Sequence, residues 1–289
     1  DTGAFLRPAA NRSPRTSTHI VREYAVPFDV ELYQRQRGSS AAGGGVGVAV
    51  RFREETASTM DDARDGADGG EPCGTAYVAD VQNAGRGRQG RQWISPAGAG
   101  LHVTFHLCPS HSERSQLLSA AGALAAADAV LETSGLETEL KWPNDVLVGG
   151  RKLVGVLAEA RHGARLDVFL GIGINVRVAE GMPEEVNAIA TSIEREGVES
   201  PNEIPSLERL LATLATSLER WAALFDRDPD ALVEQWRGRL GTLGQRVRLA
   251  TPSGVAEGEA VDVTRHGELV LRLDDGSTEA YSAGEVTTA

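Results

Sequence analysis

The chain has 289 residues, 41% of them apolar and 24% charged, which is enough for a globular core and a smaller second module. Acidic residues outnumber basic ones by 41 to 29, and the formal charge of −12 argues against a surface that coats nucleic acid. No signal-peptide pattern or apolar run of the roughly 20 residues needed to cross a bilayer is read, and Cys73 and Cys108 suggest neither a disulfide scaffold nor a zinc site, so a protein of the reducing cytoplasm is expected.

Residues 1–45 read as a poorly ordered N-terminal extension: a Ser/Arg/Pro-rich start, a short strand-like piece in which Phe28, Val30 and Leu32 alternate with Asp29 and Glu31, and a Gly/Ser/Ala linker from Gly38 to Gly45. The alternation of Val46, Val48, Val50 and Phe52 predicts a half-buried strand. Ser58 or Thr59 is placed to cap a helix reaching toward Ala67, with Asp61 and Asp62 in its first turn. Strands are expected over 75–81 and 101–107, the second with Leu101, Val103, Phe105 and Leu107 on one face and His102, Thr104 and His106 on the polar one. A helix is expected over 112–133, stopped by Gly135, then strands over 146–148, 154–158 and 168–174 and helices over 206–226 and 229–240. These close a main body spanning 46–240. The tail, 241–289, is all-β in pattern, with short strands divided by His266-Gly267, Asp274-Asp275-Gly276 and similar turns.

Three segments carry chemistry. In Gly85-Arg86-Gly87-Arg88-Gln89-Gly90-Arg91-Gln92-Trp93, guanidinium forks alternate with glycines whose bare backbone can approach an anion, and Trp93 adds a flat surface for stacking. In the second, Lys141-Trp142-Pro143-Asn144-Asp145 is followed, after a Gly149-Gly150 turn, by Arg151-Lys152-Leu153-Val154-Gly155. Of 29 basic residues only Lys141 and Lys152 are lysine, so a chain that otherwise uses arginine places its compact ammonium groups here. The third, Gly171-Ile172-Gly173-Ile174-Asn175, lacks the third glycine and following helix of a dinucleotide loop and reads as a strand that lets a ligand approach. His102 and His106, four residues apart on a strand, span roughly 13 Å, too far to share one ion.

Together these motifs resemble the biotin protein ligase family. Glu55 to Thr59 matches the entry to that family's first helix, Gln82 to Trp93 is similar to its biotin and adenylate loop, and Lys141 to Asp145 with Lys152 and Gly155 match its central hairpin. Gly171 to Asn175 is similar to its late strand, and the tail stands where the family carries an SH3-like domain. Met60 departs from the family, which usually has asparagine there, and residues 1–45 show no convincing helix-turn-helix, so DNA binding is not expected.

The resemblance implies an α+β fold: a mixed β-sheet with packed helices, of the class II synthetase and biotin-ligase type, plus a small C-terminal SH3-like β-barrel. It implies a carbon–nitrogen ligase that uses ATP and Mg²⁺ to convert biotin to biotinyl-5′-AMP and transfers it to a lysine of a biotin carboxyl carrier protein, with no membrane partner and a homodimer as one arrangement. Ser58, Thr59, Met60, Gln82, Gly85, Arg86, Gly87, Arg88, Lys152 and Gly155 would bind biotin, and Arg88, Arg91, Trp93, Asn144, Lys152 and Asn175 would bind ATP. Lys152, Arg86, Arg88 and Asp145 would carry the chemistry, and no residue is assigned to a metal. Two alternatives stand beside this reading: a lipoate- or octanoate-ligase-like acyltransferase, and a non-catalytic ligand-binding regulator on the same fold.

Overall fold

The computed structural model describes residues 28–38, 45–94, 96–110, 113–179, 182–197, 204–252 and 254–288. Its main sheet begins with β1 (Val50–Thr56) and β2 (Ala76–Gln82), which run parallel because a helix, α2 (Thr59–Asp68), carries the chain back between them. Ser58 caps α2, its Oγ accepting from the Met60 N–H at 3.3 Å. Antiparallel pairing then adds β3 (Gly100–Leu107), β7 (Leu166–Asn175), β6 (Arg151–His162), β5 (Asp145–Val148) and β4 (Glu139–Lys141), in the order β1-β2-β3-β7-β6-β5-β4.

One face of this sheet packs on α3 (Leu118–Ser134), which packs in turn on α5 (Leu207–Arg227) and α6 (Pro229–Arg237). The alanine-rich α3 is buried on nearly every side, and a Cβ at its Gly122 would meet Val156 and Leu170 at 3.0–3.3 Å, so helix and sheet are in close contact. With the 3-10 turn before it, this run (Ser115–Ser134) is apolar and long enough to cross a bilayer, which the sequence reading did not count. Its window is 72% buried within the fold, the position of a core helix.

The tail forms a five-stranded antiparallel sheet of β8 (Arg246–Thr251), β9 (Gly254–Val263), β10 (Leu269–Arg272), β11 (Thr278–Tyr281) and β12 (Glu285–Thr288), ordered β11-β10-β9-β8-β12 and consistent with an SH3-like fold. β12 was not expected from the sequence. Trp142 joins the two sheets: its backbone N–H donates to Thr242 Oγ1 and its Nε1–H to the Gly267 carbonyl, both at 2.9 Å.

Several expectations are corrected. The piece read as strand-like over 28–32 is the start of a helix, α1 (Val30–Arg37), because Asp29 caps it by accepting from the Leu32 N–H at 2.9 Å. Phe28 and Tyr33 are buried against the core, so residues 28–38 belong to the folded body; 1–27 and 39–44 lie outside the described residues. The strand expected from Val46 starts only at Val50, since Gly47 turns the chain at φ +72° and its carbonyl accepts from the Tyr33 hydroxyl. Burial lifts that hydroxyl's pKa to about 12. The helix expected from Ser112 begins as a 3-10 turn at Ser115, and Ser112 itself lies outside the described residues. Cys73 and Cys108, for which no disulfide was expected, are bonded, because pairing of Ala76 with Phe105 brings the entry to β2 beside the exit of β3. His102 and His106 are fully buried instead of lying on a polar face, since β3 has a strand on each side and helices over both faces.

Burial pulls the His102 pKa from 6.5 to about 4. The imidazole stays neutral in the fold but charges near pH 6.5 once unfolded, so its contribution is complete above pH 6.5 and is lost as pH falls toward 4. The loss should approach about 3 kcal/mol. Unfolding of the wild type and of His102→Gln at pH 7 and pH 4.5 measures it; equal losses in both proteins would refute the assignment.

Candidate active site

The register of β6 on β7 sets the floor. Val154 opposes Ile174 and Val156 opposes Ile172 on the face turned to α3, which leaves Gly155 opposite Gly173 on the other face. There a cavity of about 240 Å³ opens, lined by sheet residues Gly155, Gly171 and Gly173, the first turn of α2, the arginine loop, the turn at Asn144 and Asp145, and a wall from Met182 to Ala190. Trp93 rests on the glycine floor: a Cβ at Gly173 would stand 2.5 Å from its Cε2, and one at Gly155 2.7 Å from its Cζ3.

The arginine loop closes on itself as a small hairpin. Gly87 N–H donates to the Arg91 carbonyl at 2.7 Å and Trp93 N–H to the Gly85 carbonyl at 2.9 Å, with Gln89 at φ 56° at the tip. Gly85 does not line the cavity, but a Cβ there would lie 2.5 Å from the Trp93 carbonyl oxygen, so a side chain would open the hairpin. Arg91 pairs with Glu285 on β12, tying the loop to the tail.

The first turn of α2 and Gln82 bring uncharged polar groups to the cavity. Gln82 Oε1 accepts from both the Thr59 N–H (3.0 Å) and the Thr59 hydroxyl (3.1 Å), and that hydroxyl lies 2.8 Å from Thr104 Oγ1. Met60, 4% exposed, adds an apolar contact, its Sδ 3.5 Å from where a Gly171 Cβ would stand.

The cavity also carries cations, each held by a specific partner. Arg86 pairs with Asp61 at 2.6 Å, Lys152 Nζ pairs with Asp145 at 2.6 Å, and Arg88 Nη1 donates to Asn144 Oδ1 at 3.2 Å. Lys152 Nζ also stands 5.7 Å from the centre of the Trp93 ring. Burial lowers the Arg88 pKa from its usual value, and the Asp145 carboxylate opposes that shift. Asn144 is itself fixed, its carbonyl accepting from the Val156 N–H at 3.1 Å and its amide donating to the Val156 carbonyl. Asn175 donates its amide to the Thr191 carbonyl at 2.9 Å and to the Lys152 carbonyl at 3.5 Å, and so braces the strand that carries Lys152.

Every residue singled out from the sequence as a binding or catalytic candidate lines this one cavity, apart from Gly85. Lys141, the other lysine, instead pairs in β4 opposite Asp145 and supports the hairpin. The sequence reading missed Thr104 and the wall of Met182, Val186 and Ile189 around α4 (Glu184–Ile189). Their spacing of four and three residues is the helical signal that could have found the wall. Ile189 is 65% exposed on it, an apolar surface facing the opening. Neither cysteine nor histidine lines the cavity among the described residues, and Asp145 is the one carboxylate that does. The arrangement suits neutralising anions in transfer between a carboxylate and a phosphate better than attack by a protein nucleophile.

A family model described as the Biotin/lipoate A/B protein ligase family matches residues 64–175, and one described as Biotin protein ligase C terminal domain matches residues 242–287. The Biotin--[acetyl-CoA-carboxylase] ligase of Mycobacterium tuberculosis is 39% identical over 226 residues, covering 76% of this chain and 81% of the relative. The Bifunctional ligase/repressor BirA of Bacillus subtilis is 30% identical over 242 residues, covering 82% of this chain and 74% of the relative. The solved structure of a biotin protein ligase from Aquifex aeolicus in complex with biotin and ATP superimposes with a TM-score of 0.70 at 27% identity, covering 83% of this chain and 98% of that one.

Gly173→Ala should lift Trp93 off its floor. The other three tryptophans, Trp142, Trp221 and Trp236, are buried, so acrylamide quenching of tryptophan fluorescence should rise through Trp93 alone. If Trp93 does not yield, quenching will be unchanged and the overpacked site should destabilise the fold by about 1–3 kcal/mol.

Proposed function

The chain belongs to the biotin protein ligase family, and on that premise we propose that it activates biotin with ATP to biotinyl-5′-AMP, releasing pyrophosphate, and then passes the biotinyl group to a lysine of a biotin carboxyl carrier protein, releasing AMP. The observation that carries this reading is one cavity that combines uncharged hydrogen-bonding groups at Ser58, Thr59 and Gln82 with cations at Arg86, Arg88 and Lys152. The C-terminal match at residues 242–287 favours biotin over lipoate.

The first step joins two anions, so the site must lower their repulsion and stabilise charge that builds on the α-phosphate. Ser58, Thr59 and Gln82 hold the ureido ring, with Met60 and the glycine floor along its apolar body. Arg86 and Arg88 receive the biotin carboxylate and the adenylate phosphate, exchanging Asp61 and Asn144 for substrate oxygens. Lys152 meets the phosphoryl oxygens in both steps, as a compact ammonium that can rotate to follow them. Trp93 and Asn175 contact adenine and ribose, with Arg91 and Asn144 beside the nucleotide. Asp145, released from Lys152 as the phosphate takes its place, orients the incoming lysine and helps remove its proton.

Mg²⁺ fits a site whose lining offers one carboxylate if the phosphates of ATP supply most of its oxygen ligands. When bound, the ion would offset charge on the departing pyrophosphate. The enzyme is taken to be cytoplasmic, with a homodimer as one arrangement and no role for DNA.

Incubation with ATP, Mg²⁺, a carrier domain and either biotin or lipoate should give biotin-dependent pyrophosphate release and a biotinyl mass increment on the carrier. Release that depends on lipoate and ignores biotin would overturn the assignment. In single-turnover adenylate formation, Lys152→Arg should fold normally and lose about a hundredfold in rate, equivalent to about 2.7 kcal/mol of transition-state stabilisation, whereas Lys141→Arg should be far milder. A near-native rate for Lys152→Arg would remove that residue from the mechanism.

A further inference from the structure

Beyond the cavity, at the opposite end of β3 from Gly100, lies a second cluster with its own chemistry. Cys73 Sγ, Cys108 Sγ and one ring nitrogen of His106 all stand within 4.8 Å of one another. His106 Nε2 is 3.6 Å from Cys108 Sγ, and Asp167 Oδ1 on β7 is 2.9 Å from Nε2 and 3.8 Å from Cys108 Sγ. Donors held by a tetrahedral zinc ion at the usual bond lengths stand roughly 3.3–3.8 Å apart, and the His106–Cys108 and Cys108–Asp167 separations already match such edges. The two sulfurs, which share a bond, separate on reduction, and His106 and Asp167 open slightly from their hydrogen-bond distance.

We propose that when the Cys73–Cys108 disulfide is reduced, the two sulfurs and His106 Nε2 bind one zinc-class divalent cation, with Asp167 Oδ1 as the fourth donor. The site is preorganised by the fold. The His106 ring stacks on Phe169 with centroids 5.4 Å apart, which fixes its plane, and its Nδ1 is buried with no partner among the described residues, leaving Nε2 to face the sulfurs. Arg161 and Arg165 approach Asp167 at 3.1 and 2.7 Å, placing positive charge where two thiolates would form. Both cysteines are half-buried, so a reductant and an ion can reach them.

The steps balance. A cellular dithiol gives up two electrons and two protons and closes to its own disulfide, while the Cys73–Cys108 bond opens to two thiols. The cation then takes the two sulfurs and displaces their two protons to solvent, while the ring proton that His106 Nε2 donates to Asp167 is transferred to Nδ1 and frees the Nε2 lone pair for the metal. The entry of β2 and the exit of β3 are thereby tied in either redox state, by a covalent bond under oxidising conditions and by a metal under reducing ones.

The full chain, reduced with a water-soluble phosphine that does not bind metal tightly, is titrated with Co²⁺ and then Zn²⁺. One equivalent of Co²⁺ should bind with a thiolate-to-metal charge-transfer band and tetrahedral ligand-field bands, Zn²⁺ should displace it, and the unreduced chain should bind none. Cys73→Ser, with one sulfur remaining, should lose much of the charge-transfer intensity. His106→Gln, which keeps both sulfurs and the disulfide, should bind at least roughly tenfold more weakly once reduced. Because reduced and oxidised wild type are compared directly, the outcome does not depend on any variant folding. A reduced chain with two titratable thiols that takes up no stoichiometric Co²⁺, or takes it up without the thiolate band, overturns the proposal, as does equal uptake by the oxidised chain.

Discussion

β6 and β7 pair in a register that turns Val154, Val156, Ile172 and Ile174 toward α3 and leaves glycines on the opposite face; a slip of one residue would fill the cavity with branched side chains and withdraw them from the core. The hydrophobic demand of α3 therefore enforces the emptiness of the site. Gly122 tightens the same constraint from the helix side, since its missing side chain lets Val156 and Leu170 seat closely. Every other part of the site is placed against this sheet: Trp93 above the glycine pair, Lys152 three residues before Gly155 on β6, and Asn175 at the end of β7, bracing the Lys152 backbone.

The cations are kept ready by partners that substrate can replace. Unopposed guanidinium and ammonium groups gathered around one partly dry cavity would repel one another, and the Arg86–Asp61 and Lys152–Asp145 pairs relieve that cost. Arg88 is treated differently: it faces the neutral oxygen of Asn144, and burial lowers its pKa.

Much of the site was legible because its chemistry is local. The arginine loop, the paired lysines and the Gly-x-Gly strand are short segments whose residue types state what they can do wherever they fold. What escaped was tertiary. The disulfide spans 35 residues and depends on how β2 registers against β3. The burial of His102 and His106 requires knowing that helices cover both faces of β3, which alternation along one strand does not reveal. At 28–32, alternation and a helix start gave the same apolar positions, and Asp29 as a cap was the overlooked discriminator.

Trp142 sits within the site's own hairpin yet spends both of its hydrogen-bond donors on the tail, at Thr242 and Gly267, while Arg91 of the ligand loop reaches to Glu285 on the last strand. The tail is consequently not an interchangeable appendage. A chimaera that grafted a relative's tail onto this body would need a hydroxyl and a carbonyl matching those two positions, and an acid facing the loop, before the hairpin bearing Lys152 could keep its shape. Recombination between relatives should therefore transmit the hairpin and the tail as one inherited block, although more than a hundred residues separate Trp142 from Gly267 along the chain.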